Sequence, residues 1–444
     1  MRSVKGFDEK PFTEAHQHAP VTSVRLHPIK QPAVFNDSTP VPWCPAGRYL
    51  SERPVFTLDP LYHAGGYYVQ EASSMFLDHL LRQILPGKNE LRVLDLCAAP
   101  GGKSTLLASL PGEGSLLISN EVIRQRATIL EENMVRWGYT NSWVSCNDPR
   151  DFARLPGYFD VIVVDAPCSG SGLFRKDSKA IDEWSEGNVV LCSQRQQRIL
   201  ADIWPALKEG GILVYATCSY SPQEDEHILD WLSETFEVKT MACNVPEAWG
   251  IVNVSTKRNM SGYRFFPDKV KGEGFFIAAL QKTGTAAGLR LPRYRALNDK
   301  KVQEQAAYLL QDKPYVFFRT DKDMCNAILP AHETDLQLLK DTLYLRKAGL
   351  HLGAPAAKEW LPAHDVALSI ERSRSIPTLE LSREQALRFM KKEEMSHEGI
   401  AKGWYLVTFE GLGLGWVKSL GNRFNNYLPK HWRIRMEIPD TDWA

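Results

Sequence analysis

Between residues 90 and 281 short apolar runs alternate with stretches of helical periodicity. Leu91 to Leu96, Ser115 to Ser119, Ser142 to Cys146, Phe159 to Val164 and Ile212 to Ala216 have the length and composition of buried strands, and Phe275 to Leu280 is a sixth. Between them the apolar positions recur at helical spacing: from about Lys103, up to about Trp137, from Val189 to Leu207 with Gly210-Gly211 as its stop, and from Pro222 to about Phe236. Continuous apolar strands separated by helices predict a parallel sheet covered on both faces, a doubly wound α/β domain. Upstream, Gln70 to Leu85 carries Met75, Phe76, Leu80 and Ile84 on one face, so a helix enters the domain and stops at Pro86-Gly87. Residues 1–65 are Pro-rich and predict loops with short strands such as Ser23 to Leu26. After the small-residue linker Gly284 to Gly288, strand-like pieces (Tyr315 to Phe318, Trp404 to Thr408) mix with one helix, Ser382 to Lys391, as in one or two small α+β modules.

Composition narrows the class. Hydrophobic residues are 43% and charged residues 24% of 444, the balance of an ordinary globular chain with more than one core. No apolar run approaches the ~20 residues of a membrane helix. Arg2 and Lys5 have no apolar stretch behind them, so neither a leader nor a membrane partner is expected. Eight cysteines, none in C-x-x-C spacing, argue against a clustered metal site; no metal is expected, and free thiols in a reducing cytoplasm are. The net charge is zero, yet residues 1–281 hold 28 basic and 33 acidic side chains and the rest hold 25 and 20. The front is therefore mildly acidic and the back mildly basic.

The loop after the first strand of the α/β domain is Asp95-Leu96-Cys97-Ala98-Ala99-Pro100-Gly101-Gly102-Lys103-Ser104-Thr105. Ligands of such sheets bind beyond the carboxyl ends of the strands, and small residues let the backbone approach them. Gly102-Lys103-Ser104 fits the end of a phosphate-binding P-loop, but Cys97 stands where its first glycine belongs. The other reading is an S-adenosylmethionine loop, which predicts an acid for the ribose after the second strand and a polar contact for the adenine after the third. Glu121 and Asp148 stand at those places. Alone, each is as readily a solvated helix-start carboxylate or a turn.

Two cysteines fall at the next two strand ends, in Asp165-Ala166-Pro167-Cys168-Ser169-Gly170-Ser171-Gly172 and Ala216-Thr217-Cys218-Ser219-Tyr220-Ser221. Free cysteine is usually a small buried hydrophobe, which suits Cys44, Cys97, Cys146, Cys192, Cys243 and Cys325. A pair at strand ends suits methylation of cytosine C5. That carbon is a poor nucleophile until a thiolate adds to C6 and makes the ring electron-rich. An acid such as Asp165 at N3 favours the attack, and a second thiol assists release. The base must leave its stack to react.

These three motifs resemble, in order and spacing, those of the Sun/Fmu-type family of RNA cytosine-C5 methyltransferases. Gln70 to Met75, Phe174-Arg175-Lys176-Asp177 and Glu273-Gly274-Phe275-Phe276 are similar to its other landmarks. The resemblance covers roughly residues 20–281, and the C-terminal part resembles the branch acting on bacterial 16S ribosomal RNA. It implies a Rossmann-like S-adenosylmethionine-dependent catalytic domain over 86–283. An abbreviated RNA-recognition-like module with the entry helix would span 1–85, a small α+β module 289–375 and a PUA-like RNA-binding module 380–444. It implies that Cys218 is the nucleophile and Cys168 serves release. Cys97, Ala98, Ala99, Pro100, Gly101, Gly102, Lys103, Glu121, Asp148 and Asp165 would line the cofactor site, and Lys176 would lie beside the target strand. The expected partner is ribosomal RNA or the small ribosomal subunit, bound by a monomer. Alternative substrates are tRNA and 23S rRNA; a P-loop hydrolase and a non-catalytic assembly factor are the rival classes. One departure is visible: the family's Arg-x-Asn-x-Leu-Lys strand reads Arg25-Leu26-His27-Pro28-Ile29-Lys30 here, which puts RNA contacts of that module in doubt.

From Gly411 to Arg435 there are five basic residues and no acidic one, with Trp416, Phe424, Tyr427 and Trp432 interleaved. Lys418, Arg423, Lys430 and Arg433 are candidates to meet RNA phosphates while aromatic rings stack on unpaired bases. Trp416 is expected to be core.

Overall fold

The computed structural model describes residues 1–438 except 2–3, 86, 111, 290–293, 321–323, 357–358 and 396–398. Arg2, the helix stop at Pro86 and the last residues of the C-terminal module, 439–444, lie outside the described residues.

The chain opens with a short helix, Glu9–Ala15, and a four-stranded antiparallel sheet. Its strands are β1 (Thr22–Leu26), β2 (Thr39–Val41), β3 (Cys44–Leu50) and β4 (Tyr67–Val69), in the order β2-β3-β1-β4. The entry helix is Phe76–Ile84; a 3-10 turn, Ser73–Met75, precedes it because Glu71 caps the backbone of Ser73 and Ser74 instead of joining the helix.

The catalytic-domain sheet is built on β5 (Arg92–Asp95), β6 (Leu116–Asn120), β7 (Ser142–Ser145), β8 (Phe159–Asp165) and β9 (Leu207–Thr217), all parallel, in the order β9-β8-β5-β6-β7. Reversal of direction around β5 places the carboxyl ends of β5 and β8 at the topological switch point, where such sheets bind ligands. Two departures from the predicted pattern have local causes. The long helix is Glu186–Ile203 and does not reach Leu207: Pro205 has no N–H to continue it, so a 3-10 turn follows and β9 starts at Leu207. The sheet is also not wholly parallel. Three further strands, β11 (Val252–Ser255), β12 (Ser261–Phe265) and β13 (Phe275–Lys282), add antiparallel beyond β9, and β10 (Val238–Thr240) pairs with β13. Hairpins need only short connections, which the periodicity of helices does not reveal.

The region predicted as a small α+β module, 289–375, has a sheet of its own and one strand outside it. Its sheet holds β14 (Val316–Arg319), β15 (Cys325–Ile328), β17 (Leu350–Pro355) and β18 (Trp360–Pro362), but β16 (Leu345–Lys347) leaves it to pair antiparallel with β7. The last sheet is β19 (Thr378–Glu380), β20 (Gly403–Phe409), β21 (Leu412–Ser419) and β22 (Phe424–Asn426), beside the helix Arg383–Met390. Ser382 and Gln385 cap that helix reciprocally.

The departure at His27 has a structural answer. Its Nδ1 accepts the N–H of Ile29 and of Lys30 at 3.1 Å each, and its Nε2 then donates to the Trp137 carbonyl at 3.0 Å. The imidazole thus closes the turn as an Asn side chain closes an Asx turn. Burial first, then Lys30, pushes its pKa well down and keeps it neutral. Lys30 donates to the carbonyls of Ala64 and Arg136 at 2.7 and 2.8 Å. Arg25, only 2% exposed, donates to Gln70 Oε1 at 2.8 Å and Thr105 Oγ1 at 2.6 Å and lies over the Trp137 ring. This segment fastens the N-terminal sheet to the catalytic domain.

Candidate active site

The loop after β5 turns into the helix Gly102–Leu107 through Gly101, whose φ of +116° suits glycine. Three bonds fix the loop: Ala98 N–H donates to the Asn120 carbonyl, Arg126 to that of Ala99 and Asn133 to that of Pro100, at 2.7–2.8 Å. Across from it stand Tyr68, Gln70 and Glu71, and between them lies a cavity of about 180 Å³. Val69, Ser74, Asp95, Cys97, Ala98, Ala99, Pro100, Gly102, Lys103 and Asp165 complete its lining. A Cβ at Gly102 would come within 3.5 Å of the Tyr68 ring and narrow it.

The cavity is acidic in character. Asp95 is fully buried; Oδ2 accepts from Ser104 Oγ at 2.6 Å, while Oδ1 has no partner among the described residues. Burial pushes its pKa up to about 7 against the opposing bond from Ser104. Lys103 Nζ sits 2.6 Å from Asp165 Oδ2. Burial disfavours its charge, but Asp165 outweighs that and the ammonium is held above its ordinary value. A phosphate here would face three carboxylates, and the lysine that a P-loop would offer it is already bonded. A cationic ligand would supply the partner that Asp95 lacks, so the residues fit a sulfonium methyl donor carrying an ammonium group.

Glu121 and Asp148 stand just beyond β6 and β7, as predicted, but neither borders this cavity. Glu121 is buried; it accepts the N–H of Ile123 at 2.9 Å and meets Arg126 at 3.2 Å. Asp148 caps the 3-10 turn Pro149–Arg154, with Arg150 and Arg198 at 3.8 and 4.0 Å.

β8 and β9 are neighbours, with Asp165 opposite Ala216, so the loops that follow run side by side. This brings the Sγ atoms of Cys168 and Cys218, 50 residues apart in sequence, to 3.2 Å. The contact with Cys218, then burial, pushes the Cys168 pKa well up, and either sulfur of the pair can donate to the other. Cys44, Cys192 and Cys325 are buried as packing residues. Burial lifts the Cys97 thiol too.

The roles of several residues within the outlying landmark motifs are not readable from the sequence. Arg175 and Glu273 form a buried ion pair at 2.8 Å, and Glu71 accepts the N–H groups of Ser73, Ser74 and Glu273 at 2.8–2.9 Å. They lock the three outlying landmarks together, although 202 positions separate Glu71 from Glu273. Lys176 is exposed and borders a second cavity, of about 430 Å³, which shares Val69, Gln70 and Glu71 with the first. Arg53, in a Pro-rich loop, is its other cation.

The C-terminal basic run divides. Trp416 is 2% exposed, and its indole donates to the Ala363 carbonyl at 2.8 Å. Lys418 is ion-paired with Glu359. Arg423 is exposed in the turn before β22. Lys430, Arg433 and Arg435 converge with Lys392 on a cavity of about 480 Å³ whose lining contains no acid. Trp432 lies half-buried under the Arg136 guanidinium at 5.0 Å.

Fold and site define a Rossmann-like methyltransferase. Residues 82–281 match the family described as 16S rRNA methyltransferase RsmB/F, 1–72 the N-terminal domain of 16S rRNA methyltransferase RsmF, and 376–434 the methyltransferase RsmF PUA domain. Ribosomal RNA small subunit methyltransferase F of Psychromonas ingrahamii is 31% identical over 417 residues, 88% of this chain and 85% of that protein. The protein of that name from Salmonella arizonae is 30% identical over 463 residues, 97% and 93% of the two chains. Among solved structures, a methyltransferase homolog from Pyrococcus horikoshii superposes with a TM-score of 0.51 and 29% identity, covering 61% of this chain and 90% of its own. NSun6 from Pyrococcus horikoshii with SFG gives 0.52 at 19% identity, over 62% and 94%, a likeness of fold. The chain belongs to the RsmB/F family of 16S rRNA methyltransferases.

Proposed function

We propose that this protein makes 5-methylcytosine in 16S ribosomal RNA, using S-adenosylmethionine and a covalent adduct between Cys218 and C6 of the target base. The observation that carries this reading is the 3.2 Å pair of thiols at the ends of β8 and β9, beside the cavity of residues 97–103. S-adenosylmethionine supplies an electrophilic methyl group when bound. Asp95, with its free Oδ1, and the backbone of 97–102 hold the donor's cationic end, and Glu121 and Asp148 serve its nucleoside end. Cys218 attacks C6 as the thiolate. The Lys103–Asp165 pair holds a proton for N3, so charge entering the ring is neutralised as the C6 bond forms. On release, C5 gives up its proton as the C6–Sγ bond breaks and Cys218 leaves as the thiolate; Cys168, beside Cys218, assists this step. Lys176 and Arg53 flank the route of the target strand, and the C-terminal cations hold flanking phosphates. The enzyme acts as a cytoplasmic monomer.

The test is tritiated methyl transfer to 16S rRNA with two variants. Cys218→Ala abolishes transfer. Cys168→Ala accumulates a protein–RNA adduct stable in denaturant. Full activity in Cys218→Ala with no adduct from either variant would end this mechanism.

A further inference from the structure

Beyond the two cysteines and the Lys103–Asp165 pair, a further buried acid, which lines neither cavity, faces the two thiol loops. Glu224 lies in the 3-10 turn Pro222–Glu224, after the Cys218 loop, and is completely buried. Each cysteine is followed by a serine, and both serines turn to this carboxylate. Oε1 accepts the backbone N–H of Ser169 at 2.8 Å and Nε2–H of Gln196 at 3.2 Å. Oε2 accepts the hydroxyls of Ser169 at 2.5 Å and Ser219 at 2.6 Å. Four donors satisfy the acid, three of them from the residues next in chain to the thiols. Its own backbone is pinned as well: the Tyr215 hydroxyl donates to the Glu224 carbonyl at 2.6 Å.

We propose that Glu224 is a positioning residue that sets the separation of Cys168 and Cys218 by clamping Ser169 and Ser219. This inference rests on the proposed roles of the two thiols and adds a reason for their spacing. Other bonds join the two loops, notably Gly172 N–H to the Cys218 carbonyl at 2.8 Å and Tyr220 N–H to Ser171 Oγ at 2.9 Å. Those bonds act further along the Cys168 loop. At the residues after the cysteines the Ser169 and Ser219 hydroxyls also meet each other at 3.5 Å, and the carboxylate holds both much closer, at 2.5 and 2.6 Å. Side-chain bonds to a buried charge fix rotamers more tightly than the β8–β9 register, which ends at Asp165 and Ala216. After the contact with Cys218 and burial, its carboxylate also opposes ionisation of the Cys168 thiol.

The test uses the full-length protein and two readouts. In Glu224→Gln the amide keeps the shape but presents one acceptor oxygen and two donors to groups that all donate. Methyl transfer to 16S rRNA should fall at least tenfold in kcat, with KM for RNA and for S-adenosylmethionine changed less than about threefold. The second readout needs neither RNA nor donor: iodoacetamide alkylation of the folded protein, followed by mass spectrometry. The wild type should alkylate Cys218 in preference to Cys168 across pH 7–9. The Gln variant should lose that preference, with Cys168 reacting at a lower pH. The double variant Ser169→Ala/Ser219→Ala removes the handles and leaves the acid, so it decides the matter if Glu224→Gln does not fold. Wild-type kcat and wild-type alkylation preference in the serine pair would overturn the proposal. An altered preference with Cys218→Ala still active would leave the clamp standing and overturn the covalent reading instead.

Discussion

The ends of β8 and β9 and the C-terminal basic run are both short stretches dense in reactive side chains, yet they fold to opposite effect. At the strand ends, every singled-out residue of two motifs converges within one neighbourhood, because parallel strands in register deliver their following loops to the same place. In the C-terminal run the same density is divided by burial and ion pairing. Trp416 is packed in the core, and Lys418, two positions on and so on the same face of β21, is ion-paired with Glu359. Only the cations beyond β22 meet, and they do so with Lys392 from outside the run. A motif tied to a strand end reports a site; a compositional run reports one only after its core half is removed.

The sharpest way to break this comparison is Asp165→Ala. If the strand-end residues act as one unit, loss of the acid paired with Lys103 lowers kcat by about 10²–10⁴-fold, the ordinary worth of a placed proton donor. Single-turnover methylation with saturating donor measures it. A fall below threefold would make Asp165 part of the wall and not of the chemistry.

The divided run makes a second, smaller demand. Lys430→Ala/Arg433→Ala/Arg435→Ala should weaken binding of a 16S rRNA fragment and lower the slope of log K against log salt by about two, at roughly 0.7 per phosphate contact. Lys418→Ala should leave the slope where it is, since that charge is already paired. Equal slopes for the two variants would mean that the run acts as a whole and the division is not functional.

How far each region could be read from the sequence follows from the same distinction. The five parallel strands and the loops after them were legible because fully buried strands are continuous apolar words and their turns hold unusual residues such as Ala99-Pro100-Gly101-Gly102. The pairing of Arg175 with Glu273 was not, because it joins residues 98 positions apart that look like surface charges. Nor was the role of Arg25 and Lys30. In a Pro-rich segment both read as exposed cations, but Arg25 is buried across the catalytic domain and Lys30 caps two carbonyls. The transfer of β16 into the catalytic sheet was hidden by its three-residue length.

Lys30 offers a third test, in stability. Lys30→Met keeps the stem and removes the donors of Ala64 and Arg136, leaving two carbonyls unpaired at the contact between the N-terminal sheet and the helix Arg124–Trp137. A loss of about 1–3 kcal/mol is expected from urea unfolding. An unchanged midpoint would show that the N-terminal sheet is held by its apolar contacts alone.

The smallest effect expected concerns a proton. Asp95 has its carboxyl raised to about 7 by burial, from an ordinary 3.8. The folded, ligand-free protein therefore binds more protons here than the unfolded chain does between those values. Its stability falls as pH rises through that window and levels off above it, and Asp95→Asn removes this component. A cationic donor opposite the unpartnered Oδ1 reverses the bias: it favours the carboxylate and draws the pKa back down. At pH 7, where about half of the Asp95 carboxyls are protonated, binding S-adenosylmethionine should release roughly half a proton per site. Calorimetric titrations in buffers of different ionisation enthalpy read that fraction directly. Asp95→Asn should bind more weakly and release none. A wild type that releases no proton, or an Asn variant that releases as many, would place the cationic end of the donor away from Asp95 and leave the loop of residues 97–102 as its only holder.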